Sequence, residues 1–237
     1  MLSPDHMCEE PMAQAETLSV IIADDHPLFR AALQQVLGRA WPGCAVSEAD
    51  TFEAMRETVE ARGPGADFIL LDLHMPGARG FSSLVYIRTA MPQLPVIVVS
   101  ASEDASVMAQ AIRLGASAFV PKSSSLNAIE GAIAAVLDGD VWLPEGVDPN
   151  AGGEGDIARA AKQLQALTPQ QMRVLMMMGE GLLNKQIAYE LGVTEATIKA
   201  HVTAILRKLD CINRTQAVLV LQSLDIDDPA SPAQFGA

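Results

Sequence analysis

The feature that most constrains the fold is an alternation between residues 18 and 137. Each short apolar run is followed by a longer amphipathic stretch, and the pattern repeats five times. The runs have the length of buried strands, and the stretches have the spacing of helices. Strands that read as continuous apolar runs are typical of parallel sheets covered on both faces. The pattern predicts an α/β domain with a five-stranded parallel sheet, doubly wound and flavodoxin-like.

The same alternation gives approximate bounds for the elements. The predicted strands are Leu18–Ala23, Cys44–Ser47, Phe68–Leu71, Val96–Val99 and Ala118–Val120. The predicted helices are Pro27–Leu37, Phe52–Ala61, Phe81–Thr89, Ala105–Leu114 and Leu126–Leu137. Residues 138–163 are rich in Gly, Pro and Asp and predict a linker. Residues 164–224 show only helical patterns, so we expect an all-α domain there.

Charge is divided unequally between these regions. The chain of 237 residues has a net charge of -13. Residues 1–150 hold 8 Lys and Arg against 20 Asp and Glu, whereas residues 164–224 hold 6 against 4. Because binding to DNA phosphates is electrostatic, only the C-terminal domain has a charge balance compatible with DNA.

Cysteine usage and hydropathy exclude other classes of protein. Cys8, Cys44 and Cys211 are scattered and form no Cys-x-x-Cys motif, which argues against a disulfide framework or a zinc site. No apolar run approaches the 18 or so residues of a membrane span. We therefore expect a cytoplasmic protein with no membrane partner.

Acidic residues follow two of the predicted strands. Asp24 and Asp25 come directly after the first strand, and Asp72 follows the third. The carboxyl ends of parallel strands form the ligand-binding edge of such a sheet. Three carboxylates that converge there require a cation, and carboxylate oxygens suit Mg²⁺. The sequence predicts a magnesium site that handles phosphate.

Two further strand ends carry groups suited to phosphoryl transfer. Ser100 follows the fourth strand with a hydroxyl donor, and Lys122 follows the fifth with an ammonium group that can offset new negative charge. We interpret His26 as a loop or helix-start residue and not as a ligand.

Residues 18–137 resemble the receiver domain of two-component response regulators. The resemblance rests on Ile22-Ala23-Asp24-Asp25-His26, Leu71-Asp72-Leu73-His74-Met75-Pro76-Gly77, Val99-Ser100-Ala101, Gly115-Ala116 and Val120-Pro121-Lys122. It implies that a sensor histidine kinase phosphorylates Asp72. It further implies that the backbone carbonyl of His74 joins Asp24, Asp25 and Asp72 around Mg²⁺, and that Ser100 and Phe119 form a switch. One departure is Ser123, where the family usually has Pro.

The C-terminal domain carries a helix-turn-helix pattern. Thr168 and Gln171 have the spacing of a capping box. After the Gly192-Val193 turn, a helix from Thr194 to about Leu209 has an apolar face and a second face of small and basic residues, as a helix in the major groove would. The predicted DNA contacts are Lys185, Thr197, Lys199, Ala200, Thr203, Arg207 and Lys208. Of the basic residues, we expect Lys185, Lys208 and Arg214 to lie near phosphates.

Residues 167–222 resemble the LuxR-type helix-turn-helix of NarL/FixJ response regulators. The matching residues are Leu167-Thr168-Pro169, Gly181-Leu182-Leu183-Asn184-Lys185-Gln186-Ile187-Ala188, Val193-Thr194-Glu195-Ala196-Thr197-Ile198-Lys199-Ala200-His201-Val202 and Ile205-Leu206-Arg207-Lys208-Leu209. The resemblance implies a transcription factor that forms a homodimer when phosphorylated and acts with RNA polymerase. We expect the acidic receiver to cover the basic helix at rest.

Two alternatives stay open on the residues alone. An acidic magnesium site also occurs in phosphatases of the haloacid dehalogenase type, but those need Asp-x-Asp, whereas Asp24 and Asp25 are adjacent. We therefore predict that the chain is not an enzyme. The second alternative is a regulator that ignores phosphate and works through protein contacts.

Overall fold

The computed structural model describes residues 17–149 and 156–223. Five parallel strands form one sheet in the order β2-β1-β3-β4-β5. The strands are β1 (Ser19–Ala23), β2 (Ala45–Ala49), β3 (Phe68–Leu71), β4 (Val96–Ser100) and β5 (Ala118–Pro121). The sheet confirms the predicted parallel architecture. The second strand lies at an edge and is only partly buried, which explains why the polar residues Ser47 and Glu48 interrupt its apolar pattern.

Five helices cover the two faces of the sheet, as predicted. They are α1 (Pro27–Ala40), α2 (Phe52–Arg62), α3 (Ser82–Ala90), α4 (Ala105–Arg113) and α5 (Leu126–Leu137). Alternate strand residues point to opposite faces. Ile21 and Ile69 therefore join a core beneath α2, α3 and α4, while Ile22 and Leu70 join a core beneath α1 and α5.

The second domain consists of helices. They are α6 (Asp156–Gln165), α7 (Pro169–Gly179), α8 (Asn184–Glu190), α9 (Glu195–Lys208) and α10 (Arg214–Gln222). The Thr168 side chain accepts from the Gln171 backbone N–H, and the Gln171 side chain accepts from the Thr168 N–H, which confirms the predicted capping box. Ile198, Ile205 and Leu209 are buried, as the apolar face of α9 predicted.

Structure also occurs within residues 138–163, the range that we predicted to be a linker. Trp142 forms a β-bridge with Ala118 of β5, and α6 begins at Asp156. Ala160 and Leu164 of this helix are buried. Across the described residues, no helix is both long and apolar enough to cross a membrane.

The two domains pack against each other through α3, α6 and α7. We call this packing the docked arrangement. It differs from our expectation, because the receiver does not cover α9: Lys199, Ala200, Thr203 and Arg207 all remain exposed. The expectation was wrong because apolar surface drives docking. The apolar residues of α6 and α7 share one continuous core with those of α3.

Candidate functional site

The acidic residues meet where β1 and β3 end. Because these strands are neighbours in the sheet, Asp24 and Asp25 lie beside Asp72. The side chains of Asp24 and Asp72 are each 1% exposed, and that of Asp25 is 30% exposed. One ligand atom from each of Asp24, Asp25, His26 and Asp72 lies within 4.8 Å of the others. The predicted convergence of three carboxylates is present.

Lys122 provides the main positive charge in this cluster. Its Nζ lies 2.7 Å from Asp24 Oδ2 and 2.8 Å from Asp72 Oδ2. Its backbone N–H donates to the Ser100 carbonyl at 2.7 Å, which fixes it at the end of β5. The ammonium also lies 5.0 Å from the centre of the Phe29 ring, a cation–π distance. One ammonium therefore serves two buried carboxylates.

Two buried carboxylate oxygens fit a metal ion. Asp24 Oδ2 and Asp25 Oδ1 have no hydrogen bond of acceptable geometry, although Lys122 and His26 nitrogens lie 2.7 Å from them. These nitrogens therefore lie close to the two oxygens without good hydrogen-bond angles. Hard oxygen ligands on a buried, acidic floor suit a hard divalent cation. The cluster can bind a metal.

The ring of His26 is a member of the site that our sequence analysis did not include. His26 does occupy the start of α1, as predicted, and its backbone N–H donates to Asp24 Oδ1 at 2.7 Å. Its Nδ1, however, lies 2.7 Å from Asp25 Oδ1 and 3.2 Å from Asp24 Oδ1. The sequence does offer one indication that His26 belongs to the site, because His26 directly follows the two aspartates.

The residues around Asp72 are ordered by short backbone contacts. The His74 backbone N–H donates to Asp72 Oδ1 at 3.1 Å, so His74 is adjacent to the site. Ser100 is fully buried at the end of β4, and its Oγ accepts from the Ser102 N–H at 3.3 Å. Phe119 is also fully buried and pairs with Val98 in the sheet. The predicted switch residues thus lie on adjacent strands.

Ser123, the departure from the family pattern, makes a contact of its own. Its Oγ donates to Glu103 Oε1 at 2.6 Å. This hydrogen bond joins the loop after β5 to the loop after β4. The peptide bonds of the described residues are all trans.

A second candidate site lies on the outward face of α9. Lys199, Ala200, Thr203 and Arg207 are exposed there, and Thr197 is half-buried at its start. Lys199 Nζ lies 2.9 Å from Glu195 Oε1. The hydrogen bond from Lys199 lowers the pKa of Glu195. Lys185 of α8 is exposed as well, so this face can approach an anionic ligand.

Two basic residues that we expected near phosphates are engaged within the domain. Lys208 Nζ donates to the Ala166 carbonyl at 2.9 Å and to Gln171 Oε1 at 2.8 Å. Arg214, a further phosphate candidate on sequence grounds, donates to the Leu182 carbonyl at 2.6 Å and to the Met178 carbonyl at 3.2 Å. Burial lowers the pKa of Arg214. Both side chains hold helices together in this arrangement.

Comparisons with known proteins cover both domains. Residues 20–134 match the response regulator receiver domain, and residues 165–221 match the bacterial regulatory proteins of the luxR family. The chain is 43% identical over 213 residues to the glycerol metabolism activator of Pseudomonas putida, covering 87% of this chain and 96% of that protein. It is 30% identical over 210 residues to the nitrate/nitrite response regulator protein NarL of Escherichia coli K12, covering 88% and 96%.

Solved structures agree with these matches. The RcsB response regulator of Salmonella typhimurium has a TM-score of 0.51 at 27% identity, covering 87% of this chain and 100% of that chain. A structure of two RcsB dimers bound to two parallel DNAs has a TM-score of 0.51 at 25% identity, covering 87% and 98%. This chain therefore belongs to the transcriptional response regulators in which a receiver domain precedes a luxR-family DNA-binding domain.

Proposed function

We propose that phosphorylation of Asp72 by a sensor histidine kinase controls DNA binding by the C-terminal domain. The observation that carries this proposal is the Lys122 ammonium, 2.8 Å from Asp72 Oδ2 within a buried acidic cluster. The receiver spans 18–137 in this proposal and the DNA-binding domain spans 164–224. Residues 138–163 join them and include most of α6, which begins at Asp156 and packs with the second domain.

The reaction is a phosphoryl transfer onto a carboxylate. An oxygen of Asp72 attacks the phosphorus of a phosphohistidine on the kinase. A P–O bond forms as the P–N bond breaks, and the imidazole nitrogen leaves with the electron pair and takes up a proton. Lys122 stabilises the charge of the new phosphoryl group, because it already contacts the reacting carboxylate.

We assign Mg²⁺ to the acidic cluster, with Asp24, Asp25, Asp72 and the His74 carbonyl as its protein ligands. Bound Mg²⁺ offsets negative charge on the transferring phosphoryl oxygens. The two buried carboxylate oxygens without hydrogen bonds support this assignment.

The response to phosphorylation passes through Ser100 and Phe119 in this proposal. The Ser100 hydroxyl moves toward the phosphoryl group and donates to it, and the Phe119 ring turns further into the space that this movement leaves. Both side chains are fully buried. A small displacement there must change the packing of neighbouring elements, because protein cores are close-packed.

DNA recognition is assigned to α9 and α8. Lys199, Ala200, Thr203 and Thr197 read base edges in the major groove, and Lys185 and Arg207 contact phosphates. We retain Lys208 as a phosphate contact that requires its bonds to Ala166 and Gln171 to open. Because solved RcsB dimers bind DNA, we propose that this chain binds two half-sites as a homodimer and acts with RNA polymerase in the cytoplasm.

The test combines modification and DNA binding. Acetyl phosphate with Mg²⁺ should add one phosphoryl group to wild type and none to Asp72→Asn, as measured by intact mass. A footprint should tighten with the phosphodonor in wild type alone. The proposal fails if Asp72→Asn binds DNA as tightly as phosphorylated wild type and responds equally to the phosphodonor. Steady turnover of a phosphate ester would instead support an enzyme.

A further inference from the structure

The segment Val141–Pro149, here called the strap, runs beside β5 at the edge of the sheet. The Trp142 backbone N–H donates to the Ser117 carbonyl at 3.0 Å, and the Phe119 N–H donates to the Trp142 carbonyl at 3.2 Å. Ala118 and Trp142 form a parallel bridge. Because β5 is the last strand of the sheet, the strap satisfies backbone groups that an edge strand otherwise leaves unpaired.

Side chains of the strap pack on both sides of this edge. Trp142 lies against the core beneath α1 and α5, whereas Leu143 and Val147 lie against the core beneath α2, α3 and α4. At the far end, Arg113 of α4 donates from Nη1 to the Pro149 carbonyl at 3.2 Å. The strap is therefore held by α4, by β5 and by both cores.

The strap is attached at the residue that we assign to the switch. The amide that donates to Trp142 belongs to Phe119 itself. A turn of the Phe119 ring, or a shift of α4, changes the surface on which the strap rests. Residues 150–155 alone separate the strap from α6, so the strap is also the covalent route from the receiver to the DNA-binding domain.

We propose that the strap transmits the phosphorylation state of the receiver to the DNA-binding domain. It is bound to β5 and α4 while Asp72 is unmodified, and it leaves that edge when Ser100 and Phe119 rearrange. This inference rests on the proposed function, because it requires modification of Asp72.

Release of the strap changes the length of the tether between the domains. The tether grows from residues 150–155 to residues 141–155. The effective concentration of the DNA-binding domain at the receiver then falls roughly fourfold, since it decreases as about the −3/2 power of tether length. The docked arrangement weakens by the same factor. Because α9 is already exposed, the gain lies in the freedom of the DNA-binding domain to pair with a second copy on two half-sites.

The two tryptophans of the chain make the strap measurable. In the full chain carrying Trp41→Phe, Trp142 is the sole tryptophan. Beryllofluoride with Mg²⁺ serves as the phosphoryl mimic at Asp72. We expect Trp142 emission to shift to longer wavelength and its quenching by acrylamide to increase. Neither change should occur when Asp72→Asn is added.

A loosened strap should reproduce part of this response without any phosphodonor. We add Leu143→Ala and Val147→Ala to the chain that carries Trp41→Phe. In this variant we expect red-shifted Trp142 emission. We also expect DNA binding that is stronger by up to roughly fourfold, the factor set by tether length. Val141→Ala is the matched control, since the Val141 side chain is 62% exposed, and it should leave both measurements unchanged. Hydrogen exchange at the Phe119 and Trp142 amides of wild type tests the proposal without any loosened variant. We expect this exchange to become faster when beryllofluoride is added.

The outcomes separate this proposal from the one on which it rests. If acetyl phosphate modifies Asp72 and DNA binding rises while Trp142 emission and the two exchange rates stay constant, the strap is passive and the inference is overturned. If acetyl phosphate does not modify Asp72, both proposals fail.

Discussion

Arg173 of α7 donates a hydrogen bond to Glu53 of α2 across the boundary between the domains, with 2.9 Å between Nη2 and Oε1. Glu53 is oriented for this contact by Arg56, whose guanidinium donates to both Glu53 oxygens at 2.8 and 3.1 Å. The hydrogen bond from Arg56 is the main cause that holds the pKa of Glu53 below its usual value. Glu53 is therefore charged at neutral pH and available to Arg173.

Removal of this ion pair should loosen the docked arrangement. Because its side chains are 24% and 54% exposed, Arg173→Ala should weaken docking by no more than about 1 kcal/mol. Small-angle scattering of the full chain should show a larger radius of gyration. Arg39→Ala is the control, because Arg39 contacts Glu130 within the receiver. Equal radii for the two variants would show that the ion pair does not hold the domains together.

Docking should also depend on pH through Glu180, at the end of α7. Partial desolvation, reinforced by the negative charge of Glu53, raises the pKa of the Glu180 carboxyl above its usual value, although the side chain is exposed. The docked protein therefore binds a proton on the Glu180 carboxyl more tightly than the undocked protein does, so docking should strengthen as pH falls from 7 through the raised pKa of Glu180. Glu180→Gln should dock more tightly at pH 7 and lose this pH dependence.

Glu180 lines a cleft between α2, α7 and α8, and Glu190 lines the same cleft. Glu190→Gln is therefore the control for Glu180, because it removes another exposed charge from this cleft. Scattering at pH 7 and pH 5 gives the readout. Further acidification reverses the direction: the pKa of Glu53 is lowered, so the contribution of its carboxylate to docking is lost as pH falls through that lowered pKa. A radius that stays constant between pH 7 and 5 in wild type would contradict the assignment to Glu180.

The sheet and its acidic edge could be predicted because they follow from local pattern. Apolar runs identified the strands, and Asp24, Asp72 and Lys122 each follow a strand directly. The docked arrangement could not be predicted in this way. Glu53 and Arg173 are separated by 120 positions, and no periodicity relates two surfaces on different domains. The expectation that charge would place α9 against the receiver failed because apolar contact determined the docking face.

Individual side chains show the same limit. Lys208 and Lys199 both look like DNA contacts in the sequence, yet the Lys208 ammonium lies against Ala166 and Gln171. The direction in which a helical side chain points depends on what packs beside it. The position of the strap depends likewise on the β5 edge, whereas its Gly- and Pro-containing sequence resembles an ordinary linker.

The charge balance of the acidic cluster gives a stability prediction. Lys122→Ala leaves Asp24 and Asp72 buried without their ammonium partner, which should cost about 3–5 kcal/mol. Urea unfolding gives the measurement, and Lys162→Ala, at an exposed position of α6, should cost far less. Adding Asp72→Asn to Lys122→Ala should restore part of the loss, because one of the two carboxylates is removed. No restoration would mean that the loss comes from packing.

Metal binding should stabilise the same domain in wild type. A ligand that binds the folded state alone adds about 2.7 kcal/mol at a concentration of 100 Kd, so Mg²⁺ should raise the melting temperature in a concentration-dependent way. Asp25→Asn should reduce this gain, since Asp25 Oδ1 is one of the two carboxylate oxygens without a hydrogen bond. An equal gain in wild type and Asp25→Asn would exclude Asp25 as a ligand.

The two lysines of α9 should behave differently when replaced. Lys199 is exposed, with its side chain 66% accessible, so Lys199→Ala should weaken specific DNA binding by roughly 1–3 kcal/mol if it reads a base. Lys208→Ala removes two hydrogen bonds that join α9 to the start of α7, so it should lower the melting temperature. Binding isotherms at several salt concentrations separate these effects, because loss of a phosphate contact reduces the salt slope by about 1. A reduced slope with unchanged stability in Lys208→Ala would show that its ammonium leaves Gln171 to bind DNA.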